Sequence, residues 1–187
     1  LARQSDWNES SYRNNYSKPF DFMKFNQLLI DKYCSKERII VLDPSFIRKS
    51  GKRTPGLGYY WSGVAGQSKR GLEISGFALV DVQNNTAMHL FAQQTKLASQ
   101  SEENLVDGYI SMLTEQAPKL QKQSKILVVD AWFSKRKFVK ASIDVGFTLI
   151  SRLRRDAVMF YPYLGPKRKG RGRPKKYAGR VDPHKPD

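Results

Sequence analysis

Ile39-Ile40-Val41-Leu42 runs straight into Asp43 within ERIIVLDPSF (37–46), and Ile126-Leu127-Val128-Val129 runs into Asp130 within KILVVDAWFSKRKF (125–138). Each run has the length and residue types of a buried strand, and each closes on a negative charge. Around them, FDFMKFNQLLIDKY (20–33) carries apolar residues at 22, 25, 28, 29 and 33, a helical spacing. The stretch from Pro44 to Arg70 is too long for an ordinary loop, and GYYWSGVAG (58–66) reads as a strand inside it. GLEISGFALVDV (71–82) and TAMHLFAQQT (86–95) predict a hairpin around Asn84-Asn85, residues that tolerate positive φ. Ser99 with Glu102 predicts a capped helix bearing Leu105, Ile110, Leu113 and Leu120, which Pro118 kinks or ends. A helix over 134–145, stopped by Gly146, and a strand FTLISRLR (147–154) complete the series.

This order predicts an α/β fold with a mixed sheet. The early strands pair antiparallel, and a strand returning through a helix calls for a parallel partner. If the strands ending at Asp43 and Asp130 lie side by side and parallel, both carboxylates leave the sheet at one edge. Carboxyl ends of strands are where open α/β sheets place their ligands. Residues 1–36 read as a polar and helical lead-in, 37–165 as the core, and 166–187 as a basic tail or linker. Past Pro166 the composition turns to Lys, Arg, Gly and Pro.

Composition excludes several classes. Hydrophobic residues make up 40% and aromatics 12% of 187 residues, enough for one buried core rather than a disordered chain. No apolar run approaches the roughly 20 residues that span a bilayer. The N-terminus has no apolar signal segment, and its start at Leu1 suggests a piece of a longer chain. Cys34 is the single cysteine, which excludes an internal disulfide and fits a reducing cytosol. His89 and His184 are too few for zinc, and His89 reads as a structural strand residue.

Lys and Arg number 33 against 17 acids, a net charge of +16 that draws polyanions, nucleic acid first among them. Eight of the cations lie between Lys167 and Arg180, and six between Pro44 and Leu72, with no acid in either stretch. In the second stretch SGKRTPG (50–56) invites comparison with a phosphate-binding loop. The pattern fails, since Phe46 stands where glycine is needed and Arg53 where Ser or Thr is needed. Lys49, Lys52, Arg53, Lys69 and Arg70 instead read as holders of DNA phosphates near Asp43, or as a solvated loop face.

Two carboxylates brought together repel unless a cation lies between them. An all-oxygen ligand set at strand ends suits Mg²⁺, with Mn²⁺ as a substitute, and a two-metal site can cleave a phosphodiester in line. The structural alternative is that Asp130 caps the turn ahead of the next helix and Asp43-Pro44 begins a turn. Trp132 and Phe133 read as core packing, with stacking on an unpaired base as the alternative.

The element order resembles the ribonuclease H fold, and residues from Arg38 to Asp182 resemble the catalytic domain of a bacterial insertion-sequence transposase of the DDE type. The resemblance rests on VLDPSFIRKSGKRTPGLGYYWSG, KRGLEISGFALVD, ILVVDAWFSKRKFV and FTLISRLRRDA. It implies that Asp43 and Asp130 are the first two catalytic, metal-holding acids, with two Mg²⁺ ions as cofactor. The activity implied is cleavage and strand transfer at transposon ends and target DNA, by a homodimer on double-stranded DNA. A bacterial cytoplasmic, nucleoid-associated setting follows, with no membrane partner. The family's third acid, a Glu on a later helix, has no match before Asp187, so the chain reads as truncated ahead of its last ligand. Asp156, Glu102 and Glu103 are the substitutes within reach of the sequence. A DNA-binding module without catalysis is the alternative reading.

KRKGRGRPKKY (167–177) adds a second resemblance, to an AT-hook. Arg171 and Arg173 would enter a narrow A·T minor groove, Gly172 lets the backbone lie flat, and Pro174 directs the chain. Lys167, Arg168, Lys175 and Lys176 would meet phosphates. The alternative is a charged linker.

Overall fold

The computed structural model describes residues 5–16, 18–51, 53–95, 105–154, 156–166 and 172–182, in two units, Leu1–Ser151 and Arg152–Asp187. In the first unit α1 (Glu9–Tyr16) and α2 (Phe22–Tyr33) precede β1 (Arg38–Arg48), β2 (Gly58–Ser62), β3 (Gln67–Asp81) and β4 (Thr86–Gln94). Then come α3 (Leu105–Leu120), β5 (Ile126–Val129), a single 3₁₀ turn at Ala131–Phe133, α4 (Arg136–Asp144) and β6 (Thr148–Ser151). The second unit is a two-stranded ribbon of β7 (Phe160–Pro162) and β8 (Tyr177–Arg180), with the Phe160 and Tyr177 rings stacked 5.0 Å apart.

Six strands form one ribonuclease H-like mixed sheet, in the order β2-β3-β1-β5-β6 with β4 also paired to β3. β3 runs antiparallel to β1, β2 and β4, while β1–β5 and β5–β6 are parallel. The parallel pairs are the ones joined through α3 and α4, because a parallel return needs a crossover. Alternation sorts the side chains by face. Ile40 and Leu42 of β1, Phe77 and Leu79 of β3, and Leu127 and Val129 of β5 point into the main core. There they meet Met23 and Ile30 of α2, Met112, Leu113, Ala117 and Leu120 of α3, and Phe138 of α4. Each of these side chains is 5% exposed or less, so burial of about 1.5–3 kcal/mol per large side chain holds the helices to this face.

Local chemistry sets the boundaries. Asp21 caps α2 by accepting from the Lys24 backbone N–H at 3.0 Å. The hairpin between β3 and β4 turns on Asn85, at φ 49°. β1 and β3 run past the sequence estimate, to Arg48 and back to Gln67, because Gly71 lets them approach. A Cβ built there would collide with the Ile47 carbonyl and lie 2.5 Å from the Phe46 ring. Pro118 sits inside α3, which ends two residues later with Gln121 donating to the Ala117 carbonyl at 2.9 Å. The expected cap of Ser99 and Glu102 lies outside the described residues.

Several expectations shorten, among them the strand read in 58–66, which is β2 at Gly58–Ser62. The strand over 147–154 is β6 at Thr148–Ser151, and the helix over 134–145 is α4 at Arg136–Asp144. In the basic tail Tyr177–Arg180 form β8, a strand that composition did not reveal. Among the described residues no helix is long and apolar enough to cross a membrane.

Candidate active site

Leu42 of β1 is the parallel partner of Val129 in β5, so the residues that follow them, Asp43 and Asp130, leave adjacent strands at the same end. Alternation also gives them the same face. Leu42 and Val129 point into the core, so their successors point to the opposite side, with Val41 and Val128. Asp130 keeps the extended backbone of β5 at φ −72°, ψ 174°, so the alternation carries through it.

The electrostatics agree with that proximity. Burial raises the Asp43 carboxyl above the usual aspartate range, and the charge of Asp130 raises it further. Neither effect involves a cationic neighbour. The sheet thus sets two carboxylates close enough for the charge of one to act on the other.

Asp130 also does the local work expected of a strand-end Asp. Its Oδ1 accepts from the Trp132 backbone N–H at 3.0 Å and caps the 3₁₀ turn. The Asp130 carbonyl accepts from the Ser151 hydroxyl at 2.9 Å, which ties the end of β6 to the end of β5. Capping occupies one of the two carboxylate oxygens and fixes the direction of the other. The cap therefore leaves the second oxygen available for another partner.

Behind the turn, Phe133 is 1% exposed and sits among Tyr109, Trp132 and Phe138, with ring centroids 4.7–5.2 Å away. Core packing is thus the role of Phe133. Trp132 is half-buried edge-on to Tyr109, with the Lys135 ammonium 3.4 Å over its ring. Tyr109 in turn donates to Glu73, a buried acid on the helix-covered face of β3. Burial raises the Tyr109 hydroxyl pKa far above the ordinary value, and its bond to Glu73 adds to the shift. Tyr109 therefore stays neutral and keeps its proton on that bond, which braces the turn below Asp130. No sequence motif signalled this support, because it joins residues 36 positions apart.

Among the described residues no third His, Cys, Asp or Glu joins the two aspartates in a metal-holding group. Glu102 and Glu103 lie outside the described residues, and Asp156 lies in the second unit, ion-paired with Arg154 at 2.7 Å. Register separates the predicted loop cations. Arg70 lies on the face of Asp43, and its guanidinium donates to the Gly51 carbonyl at 3.1 Å. Lys69 lies on the opposite face across from Tyr60, while Lys49 and Arg53 are exposed in the segment after β1. Lys52 lies outside the described residues, as do Lys167, Arg168 and Arg171. In the second unit Gly172 takes φ 140°, and Arg173, Pro174, Lys175 and Lys176 are exposed. The Lys175 ammonium lies 4.9 Å over the Tyr163 ring.

His89 is exposed on β4 rather than packed. Its Cε1 lies 3.6 Å from the position of a Cβ on Gly76, and Gly76 is the cross-strand partner of Asp43. The β4 irregularity between the partners of Phe77 and Ala78 sets that placement, and single-strand alternation does not predict it.

A family model described as DDE superfamily endonuclease matches residues 23–187. Neither the curated proteins nor the solved structures compared with the chain gave a match.

Proposed function

The chain belongs to the DDE superfamily endonuclease family, and from that premise we propose that it is the catalytic domain of a DNA transposase, with Asp43 and Asp130 as its catalytic carboxylates. The observation that carries this reading is the parallel register of Leu42 with Val129, which sets the two acids at one end of neighbouring strands. The donor set fits a divalent ion. Both groups are hard oxygen ligands, and of the two causes that raise the Asp43 carboxyl, burial first and the Asp130 charge second, the second is one that Mg²⁺ or Mn²⁺ would offset. Bound there, a pair of such ions supplies activation of a nucleophile and stabilisation of the leaving oxygen.

The chain's own residues do the rest. Asp43 and Asp130 would hold the ions, and the Trp132 cap and Ser151 hydroxyl keep Asp130 from swinging away. Arg70, on the same face, neutralises phosphates of the strand that enters, and Lys49, Lys52 and Arg53 of the segment after β1 add to the charge that draws it. The reaction is hydrolysis of a DNA phosphodiester, in which water's oxygen bonds to phosphorus as the P–O3′ bond breaks. The freed 3′-hydroxyl then attacks a second phosphodiester, its oxygen bonding to phosphorus as that P–O3′ bond breaks, and in each step the proton lost by the nucleophile is taken up by the departing O3′. Asp130→Ala is expected to remove Mn²⁺-dependent nicking of supercoiled plasmid, and nicking that survives this change would remove the assignment.

A DNA-binding module without catalysis is the second reading, favoured by the absence of a third carboxylate beside the pair among the described residues. Both readings use the tail. We propose that Arg171 and Arg173 enter an A·T minor groove while Lys167, Arg168, Lys175 and Lys176 meet phosphates. Each phosphate contact contributes about 0.9 to the slope of log affinity against log salt. Replacing the two arginines with Ala is expected to weaken A·T-rich duplexes more than G·C-rich ones. Replacing the four flanking cations is expected to weaken both alike and to flatten the salt slope. Equal selectivity in the two variants, measured across a salt series, would make the tail a charged linker.

A further inference from the structure

The β2–β3 hairpin carries two large aromatic side chains turned away from the core. Tyr59 is 71% exposed and Trp61 63%, while their neighbours Tyr60 and Ser62 are buried on the other face. Tyr60 explains the inward half, since its hydroxyl donates to the Thr95 carbonyl at 3.0 Å. Nothing in the packing of the sheet requires aromatics on the outward half. A solvated strand position would be filled as well by Thr or Lys.

Register fixes what shares their face. Tyr59 is the cross-strand partner of Arg70 and Trp61 of Ser68. Continuing along β3, Leu72 pairs with Ile47, Ile74 with Ser45 and Gly76 with Asp43. Cross-strand partners point to the same side, so Tyr59, Trp61 and Arg70 lie on the face that carries Asp43. Arg70 and Gly76 are six residues apart, about 20 Å along the strand at about 3.3 Å per residue. That is about six steps of a stacked nucleic-acid strand at about 3.4 Å each. The chain between Pro44 and Leu72 carries six cations and no acid, and register puts Arg70 among them on this face.

We propose that Tyr59 and Trp61 form a stacking ledge for unpaired bases of a DNA strand whose phosphodiester lies at the Asp43–Asp130 end of the same face. The proposal deepens the nuclease reading and rests on it. Aromatic rings beside cations are the means by which proteins hold single strands without reading sequence, because every base has a π-face. A duplex keeps its bases stacked on one another and cannot offer them to a ring, so the ledge selects DNA that is frayed or ends in an overhang. Arg70, opposite Tyr59, meets the phosphate between stacked bases.

The test compares binding of residues 1–187 to a blunt duplex and to the same duplex with a six-nucleotide 3′ overhang containing 2-aminopurine, at fixed salt. The overhang duplex is expected to bind about tenfold or more tightly, with quenching of 2-aminopurine fluorescence as it stacks. The double variant Tyr59→Ala, Trp61→Ala is expected to bring the overhang duplex down to the blunt affinity, abolish the quenching and leave blunt binding unchanged. The ring-keeping variant Tyr59→Phe, Trp61→Phe is expected to retain preference and quenching, which separates ring loss from misfolding. Equal binding of the two duplexes by the wild type overturns the ledge and leaves the nuclease reading standing. Failure to bind either duplex removes both. A change in oligomeric state with overhang preference intact makes the aromatic face a protein contact and overturns the proposal.

Discussion

Asp43→Asn is expected to lower metal-dependent DNA nicking by more than about 10²-fold while raising thermal stability. Losing a residue that merely orients a metal ligand costs about 10–100-fold, so losing a ligand carboxylate costs more. The stability change runs the other way because the sheet holds Asp43 against partial burial and the charge of Asp130. Asparagine keeps the shape and drops the charge. The gain is small, because solvent screens a partly exposed pair of charges.

The pH dependence follows from the direction of the shift. The folded carboxyl lies above its unfolded value, so the folded state binds the proton more tightly. The penalty is absent below the unfolded aspartate pKa of about 4, and it develops as pH rises through the raised folded value. Wild type and variant should therefore converge in Tm under acid and separate toward neutrality. Mg²⁺ should raise the Tm of the wild type and leave that of the variant nearly unmoved. A variant that nicks normally, or a Tm below wild type at neutral pH, would break the link between Asp43 and a cation.

Arg38→Ala is expected to be the most damaging substitution outside the apolar core. Its guanidinium is 7% exposed and donates to the Ile30 carbonyl at 3.2 Å and the Cys34 carbonyl at 3.0 Å. It also donates to the Ser35 carbonyl, to Gln123 Oε1 at 2.5 Å and to Asp31 at 3.1 Å. One side chain thus binds the end of α2, the start of β1 and the turn after α3. Alanine leaves several acceptors without a donor in a place water reaches poorly, at about 1–3 kcal/mol each where fully desolvated. A loss of about 3–5 kcal/mol corresponds to about 10–15 °C. A melting point within about 3 °C of wild type would show that water replaces the guanidinium.

Asp81 works beside this hub and gives it an acid limit. The Ser35 hydroxyl lowers its pKa most, with further lowering from the Ser35 and Asn84 backbone N–H groups and the Asn84 side chain, against the opposing effect of burial. A depressed carboxyl contributes stability that is present above the unfolded pKa and lost as pH falls toward the folded one. The joint between α2 and the sheet should therefore weaken only in strong acid.

The sequence by itself determined the elements with strong local signals. Two undiluted apolar runs read as buried strands, the helical spacing over 20–33 matched α2, and Asn84-Asn85 marked a hairpin. Those signals are local because periodicity and turn preference act within a few residues. The aspartates were legible for the same reason, each standing directly after its run. Tertiary structure alone decided that Leu42 would meet Val129 in parallel register, across 87 positions of sequence. It also put Lys69 and Arg70 on opposite faces, paired the tail residues Tyr177–Arg180 with Phe160–Pro162, and set Glu73 under Tyr109. Each of these depends on which strand lies beside which and by how many residues it is offset. That choice is made by the summed burial of the whole sheet, and a one-residue slip would turn every side chain, Asp43 included, to the other face.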